Sequence, residues 1–299
     1  MIKIGMIGVS DGNGHPYSFS AIFNYYNAEK MRQSGWENIF NYLQKEEKDN
    51  FGIKDANITH IWTQDLNESQ KIAQASNITH ICQTYHEMID QVQAVIIARD
   101  DWRSHIEIAL PFLEAGKNVF IDKPLSLSFE ECEIFQPYIK NGKLISFSSL
   151  KFSPELDSIK TRIKDFGEIK LIRGITPKTW EKYAIHLLDG IRGVLDFDFQ
   201  DIVINRCQHE SLTIYTKENI LIQLDCLGNM QYPMLQLEFF SSTNYEKANC
   251  LNAFVSFKRM LEYFVQSIKG QTEIQNNLKT LKQMEILIKG QEILNKCKS

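Results

Sequence analysis

The sequence has no long apolar run. Its opening stretch, Met1-Ile2-Lys3-Ile4-Gly5-Met6-Ile7-Gly8, is broken by Ser10, Asp11 and Asn13, too early for a signal peptide or for a membrane span of about 20 residues. The stretch reads instead as a buried strand. It also lacks a surplus of positive charge: 33 Lys and Arg face 37 Asp and Glu, for a formal net charge of -4. Neither a phosphate backbone nor anionic lipid is attracted broadly, so no nucleic-acid or membrane partner is expected. Cysteines are six and far apart (Cys82, Cys132, Cys207, Cys226, Cys250, Cys297), with no CxxC pair and no Cys/His ligand spacing. The expectation is reduced thiols in a cytoplasmic protein and no metal site. Internal repeats and low-complexity segments are absent too. What remains is 299 residues, 43% hydrophobic and 23% charged, enough for one large or two ordinary domains with their own cores.

Over the first 150 residues short apolar runs alternate with helical patterns, the order of a doubly wound parallel sheet. Strands are predicted at Lys3–Val9, Ile58–Thr63, Ile78–Cys82, Ala94–Ala98, Asn118–Ile121 and Leu144–Ser148, with helices at Glu68–Ala75 and Ser104–Ala115 and Gly116 as a C-cap glycine. An insert over residues 28–57 interrupts the rhythm; its Trp36–Lys48 reads as an amphipathic helix, either a surface elaboration or a flap over a ligand. After Pro154 come strand-like runs at Ile169–Ile175, Ile202–Cys207, Leu212–Thr216, Ile220–Cys226 and Leu235–Phe240, then helical patterns at Ala253–Lys269 and Asn277–Lys296. The expected fold is α/β: an N-terminal Rossmann domain over residues 1–150 and, over 151–299, an α+β domain with a mostly antiparallel open sheet.

Directly after the first strand stands Gly8-Val9-Ser10-Asp11-Gly12-Asn13-Gly14-His15-Pro16, followed by a helical run. Glycines between strand and helix let backbone approach a pyrophosphate, and the helix start offers N–H donors and partial positive charge. GxGxxG is not met: counted from Gly8, its second and third glycines become Ser10 and Asn13. The loop is therefore a longer dinucleotide loop or an ordinary glycine-rich turn. Asp11 must face away from any pyrophosphate or cap the helix. Asp65, at the end of the second strand, suits an adenosine ribose and repels a 2'-phosphate, favouring NAD over NADP; it also suits the N-cap of the next helix.

The run Gly116-Lys117-Asn118-Val119-Phe120-Ile121-Asp122-Lys123-Pro124-Leu125-Ser126 resembles the AGKHV-x-x-EKP signature of the glucose-fructose oxidoreductase / inositol dehydrogenase family. Ala94–Ala98 with His105, Ala109 and Phe112 is similar to the family's fourth strand and next helix, Lys151-Phe152-Ser153-Pro154 to its entry to the second domain, and Trp180–Gly190 to its catalytic helix with His186. The resemblance covers nearly the whole chain. It implies a second domain whose open sheet mediates oligomers, here a homodimer or homotetramer.

It also implies roles. Lys123 stands just past a strand's carboxyl end, where doubly wound sheets bind ligands, and Pro124 disfavours helical geometry there; the family's lysine hydrogen-bonds the reacting hydroxyl. His186 titrates near neutrality and can take the hydroxyl proton, or it is structural. Asp189, one turn later, orients the ring or caps the surface. The family's aspartate one turn before the histidine is replaced by Lys182, and Glu181 cannot substitute, because adjacent helical residues point about 100° apart. Expected cofactor contacts are Gly8, Ser10, Gly12, Asn13, Gly14, His15, Asp65, Ala98, Arg99, His105 (close to the cofactor, packing locally), Asp122 and Pro124. Expected substrate contacts are Lys123, Lys151, Trp180, Lys182, Tyr183 and Asp189. The resulting expectation is NAD-dependent oxidation of a secondary alcohol on a sugar, cyclitol or nucleotide sugar. NAD-dependent glycoside cleavage and a non-catalytic NAD-binding or sensor protein stand as alternatives.

Overall fold

The computed structural model describes residues 1–273 and 275–298; position 274 and the last position of the expected second domain, 299, lie outside them. The chain divides into two compact units. The first comprises Met1–Ser126, Glu133–Ser146 and Phe257–Leu278, and the second Leu127–Cys132, Phe147–Ser256 and Lys279–Ser299. The helical end of the chain is thus shared between the two.

In the first unit β1 (Ile2–Ile7), β2 (Ala56–Trp62), β3 (His80–Ile81), β4 (Ala94–Ile97), β5 (Asn118–Ile121) and β6 (Leu144–Ser146) form one sheet in the order β3-β2-β1-β4-β5-β6, with every pairing parallel. This is the doubly wound order, whose reversal beside β1 leaves a ligand crevice at the carboxyl ends. The strands are apolar on both faces because helices cover both: all four residues of β4 are buried, and Met6, Ile96, Phe120 and Ile145 lie in register across four strands.

Helix α1 (His15–Asn24) buries every residue from Pro16 to Phe23, so it is enclosed rather than amphipathic. The insert is what completes that enclosure. It folds as α2 (Ala28–Arg32), α3 (Glu37–Leu43) and a short 3-10 turn at Lys48–Asn50, so the predicted Trp36–Lys48 helix is shortened at its C-terminal end. A Cβ built on Gly14 would fall 2.5 Å from Trp36 Cδ2 and 2.6 Å from Ile39 Cδ1, so only glycine permits this approach. Tyr42 hydroxyl bonds Ser18 Oγ. The insert is therefore packed onto the start of α1. Helices α4 (Leu66–Ala75) and α5 (His105–Glu114) complete the two layers, and α5 ends on Gly116 at φ 73°, the left-handed residue a helix C-terminus favours.

In the second unit β7 (Ile169–Thr176), β8 (Phe199–Ile204), β9 (Glu210–Thr216), β10 (Leu221–Cys226), β11 (Gln236–Ser241) and β12 (Tyr245–Asn249) form a sheet in the order β12-β11-β7-β10-β9-β8. The β7–β10 pair is parallel and the others are antiparallel. Ile202, Ile214, Ile222, Ile172 and Phe239 lie in register across five strands and are buried, each worth roughly 1.5–3 kcal/mol. On the opposite face the row Tyr215, Leu221, Leu171, Phe240 is half-buried or exposed. Such period-two alternation is that of a sheet covered on one side. α6 (Phe129–Lys140), α7 (Asp157–Arg162), α8 (Trp180–Val194), α9 (Ala253–Ile268) and α10 (Gln275–Lys298) complete the chain. Among the described residues no helix is long and apolar enough to cross a membrane. The cysteines are free.

Candidate functional site

At the carboxyl edge of the first sheet, the loop after β1 is held by three ties. Ser10 Oγ donates to Asp100 Oδ1 at 2.7 Å while the Asp100 N–H donates back at 3.1 Å, joining the loop to the segment after β4. Gln64, beyond β2, donates from Nε2 to Val9 O at 2.7 Å, and its Oε1 accepts from Val9 N at 3.3 Å and from an Arg99 nitrogen at 3.0 Å. The third tie is Asp122, beyond β5. Its Oδ2 accepts from Asn13 Nδ2 at 3.0 Å and faces His15 Nδ1 at 2.5 Å, and its Oδ1 accepts from the Lys123 N–H at 3.0 Å. Burial alone would push the Asp122 carboxyl up, but His15, Lys123 and the Asn13 amide together hold it well below the usual carboxylate range.

The remaining residues of this edge fall into place around those ties. Gly12, at φ 75°, has open space where a Cβ would stand, whereas that of Gly8 would meet Pro16 and Ala98 O. Asp65 is exposed and accepts from the Asn67 N–H at 2.9 Å, capping α4. Arg99 makes two bonds to the Asp101 carboxylate. His105 is fully buried between the Leu125 and Arg99 carbonyls, at 2.9 and 3.1 Å, and burial lowers its pKa. Lys123 is 4% exposed and precedes Pro124 through a cis peptide bond.

A dinucleotide fits this donor set. α1 has no acidic residue in its first turn, although Asn13 Oδ1 accepts from the His15 N–H at 2.9 Å and Asp122 faces the His15 ring; the crown of the loop is open at Gly12, and Asp65 presents an exposed carboxylate. Gly8, Gly12 and Gly14 would hold the pyrophosphate and Asp65 the ribose.

The second unit gathers a different set on α8. His186 Nδ1 lies 2.6 Å from Ser148 Oγ, and its ring meets Tyr183 edge-on at 4.8 Å. Asp189, 2% exposed, accepts from the Ser148 N–H and from Gln283 Nε2, both at 2.5 Å. Burial pushes its carboxyl up to about 6, against the pull of those bonds and of Lys151. Lys151 lies over the Phe147 and Phe152 rings, and burial lowers its pKa. Lys182 is exposed. Trp180 is placed in the core, where Nε1 donates to Leu287 O at 3.0 Å and its N–H to Glu210 Oε2 at 2.5 Å. A cavity of about 830 Å³ opens at the start of α8, lined by Lys178, Thr179, Arg206, His209 and Glu210 among others; His186 and Lys182 do not line it. Among the described residues no cluster of His, Cys, Asp or Glu could hold a metal ion.

Sequence reasoning missed Gln64 and Ser148. Neither carries a local signal, since their partners Val9 and His186 lie 55 and 38 residues away.

Residues 2–148 match the model of the oxidoreductase family with an NAD-binding Rossmann fold. The inositol 2-dehydrogenases of Salmonella typhimurium and Salmonella agona are 24% identical over 181 residues, 54% of this chain and 52% of each relative. The match thus spans about half the length of those curated relatives. Among solved structures, the myo-inositol 2-dehydrogenase of Lactobacillus plantarum superposes with a TM-score of 0.76 at 15% identity, covering 98% of this chain and 97% of that one. The scyllo-inositol dehydrogenase of Lactobacillus casei, with bound NAD(H) and scyllo-inositol, gives 0.74 at 15% identity, covering 98% and 96%. These likenesses establish the two-part fold over 98% of the chain.

Proposed function

We infer that this chain, which over residues 2–148 belongs to the oxidoreductase family with an NAD-binding Rossmann fold, is an NAD-dependent dehydrogenase acting on a secondary alcohol of a sugar or cyclitol. The observation that carries the reading is the convergence of the glycine loop, Asp65 and Lys123 on the carboxyl edge of one parallel sheet, with Asp122 tying Lys123's strand to the loop. The inositol dehydrogenases among its relatives favour a cyclitol; a nucleotide sugar is the wider possibility within the same chemistry.

When bound, NAD supplies the hydride acceptor. The chain's own residues bind and move protons. Lys123 hydrogen-bonds the substrate hydroxyl and lowers its pKa by its charge; His186 takes the released proton at Nε2. Tyr183, Lys182 and Lys151 are assigned to the polyol's other hydroxyls. The alternating face of the second sheet, with Tyr215, Leu221, Leu171 and Phe240, suits assembly into a homodimer or homotetramer.

Lys182, a cation one turn before His186, favours a second reading: a protein that retains NAD and has lost turnover. Binding of NADH and NADPH, followed by tryptophan fluorescence or calorimetry, and NADH formation over a panel of inositols and sugars decide between them. NADH preference with turnover is expected. Binding without turnover on any member establishes the second reading, and no binding of either nucleotide removes both.

A further inference from the structure

We propose that His15, anchored by Asp122, is a ligand of the dinucleotide's pyrophosphate and serves only with a proton on Nε2, so that nucleotide binding takes up a proton. The proposal rests on the reading of this sheet edge as the NAD site.

Backbone donors are scarce where α1 begins. The His15 N–H donates to Asn13 Oδ1 at 2.9 Å, Pro16 has no N–H, and the Tyr17 and Ser18 N–H groups both donate to Gly14 O, at 3.1 and 3.4 Å. An oxyanion arriving there lacks the row of free N–H groups that a helix start usually offers. Among the side chains of this turn, the Tyr17 hydroxyl donates to Glu68 and Ser18 bonds the Tyr42 hydroxyl. That leaves His15 to take the place of the missing donors.

The His15 ring is held with one nitrogen occupied and the other open. Nδ1 lies 2.5 Å from Asp122 Oδ2. That carboxylate is 2% exposed, accepts from Asn13 Nδ2 on the same oxygen and from the Lys123 N–H on the other, and is held well below the usual carboxylate range. An ionised carboxylate can only accept, so Nδ1 carries the hydrogen between them. Phe19 stacks on the ring at 4.7 Å, and Phe257 of α9 meets it edge-on at 5.0 Å. Nε2 has no hydrogen-bond partner among the described residues and is not enclosed; the side chain is 22% exposed.

With Nδ1–H fixed on Asp122, a neutral His15 presents a lone pair at Nε2, which repels a phosphate oxygen. The imidazolium presents a charged N–H there, which binds one. An anion at Nε2 therefore draws a proton onto the ring whenever the free ring lacks it. The groups that face the ring are Asp122, on which the Lys123 charge acts, from beyond β5; Asn13 from the loop; Phe19 from α1; and Phe257 from α9, against which Tyr42 packs. Asp122 keeps its charge over the range tested below, so the proton that moves is not its own.

The test is calorimetric titration of the full chain with NADH and with ADP-ribose, which carries the pyrophosphate without the nicotinamide. Each titration is run in two buffers of different ionisation enthalpy, from pH ~6 to ~9, across the histidine range. Both ligands are expected to take up as much as one proton, with affinity falling by up to about tenfold per pH unit. In His15→Gln the uptake should vanish, and affinity should be flat with pH and weaker by roughly 10- to 100-fold at the acid end, the worth of a charge-assisted hydrogen bond. Wild-type binding without proton uptake at any pH overturns the proposal whether or not the variant folds. Uptake with NADH but none with ADP-ribose overturns it too, as does uptake retained in folded His15→Gln. If neither nucleotide binds at any pH, the NAD reading of this edge fails and the proposal falls with it.

Discussion

Each unit buries an aspartate at its candidate site, and the two carboxyls are treated in opposite ways. Asp122, in the first unit, faces His15 and the backbone and charge of Lys123, and stays ionised far into acid. Asp189, in the second, has neutral partners in the Ser148 N–H and Gln283 amide, and burial wins, raising it to about 6. Desolvation acts on both; what differs is that His15, Lys123 and the Asn13 amide together outweigh it at Asp122, whereas the partners of Asp189 do not. The first unit uses a fixed charge to fasten the loop after β1 to a strand end. The second uses a carboxyl close to neutrality to fasten a turn to a helix.

The comparison can be broken at several points. The largest effect is expected at Lys123: Lys123→Ala should cost about 10²–10⁴ in turnover while NADH affinity, measured calorimetrically, is nearly unchanged, and full activity would remove the lysine from the chemistry. Next, Asp122→Asn should destabilise the fold by roughly 3–5 kcal/mol at neutral pH, the usual result of removing one partner of a buried pair, read by denaturant unfolding. Because the folded carboxyl is depressed, its contribution is present above the unfolded value near ~4 and lost as pH falls through the folded one. The variant should therefore lose its deficit in acid.

Asp65→Ser keeps an N-cap but removes the charge, and should shift the NADH/NADPH affinity ratio by about tenfold or ~1.4 kcal/mol; an unaltered ratio would leave Asp65 as a cap alone. Smallest is Asp189→Asn, at about 1 kcal/mol or less. Its pH dependence should run the other way. Native Asp189, raised to about 6, takes up its proton before the unfolded chain does, so the wild type gains stability from this group as pH falls from 6 toward ~4. Unfolding of Asp189→Asn from pH 6 to ~4, and of Asp122→Asn below ~4, each against the wild type, checks the two signs, and deficits that change in the same direction would show that the two carboxyls are not opposed.

Much of the site was legible because its signals are contiguous. Asp122-Lys123-Pro124 directly follows an apolar strand, Asn118–Ile121, whose bounds emerge unchanged, and a lysine in that position lies at a sheet edge whatever the rest does. The double reading of Asp65 resolves in part for the same reason: its cap on Asn67 spans 2 residues. The insert was legible in place but not in role, since the fit of Trp36 over Gly14 depends on tertiary packing. The edge strand Tyr245–Asn249 was missed, because its exposed, charged residues give no alternation to read.

By itself, then, the sequence determined the parallel sheet, the mostly antiparallel one and the chain positions of the glycine loop after the first strand and of Lys123 after the fifth, because periodicity and strand-end motifs act over neighbouring residues. Only the tertiary structure decided which polar groups meet: Asp122 with His15 across 107 residues, Gln283 with Asp189 across 94, and Ser148 with His186 across 38. A hydrogen bond needs about 3 Å between donor and acceptor, and over such separations in sequence that distance is set by how helices and strands pack.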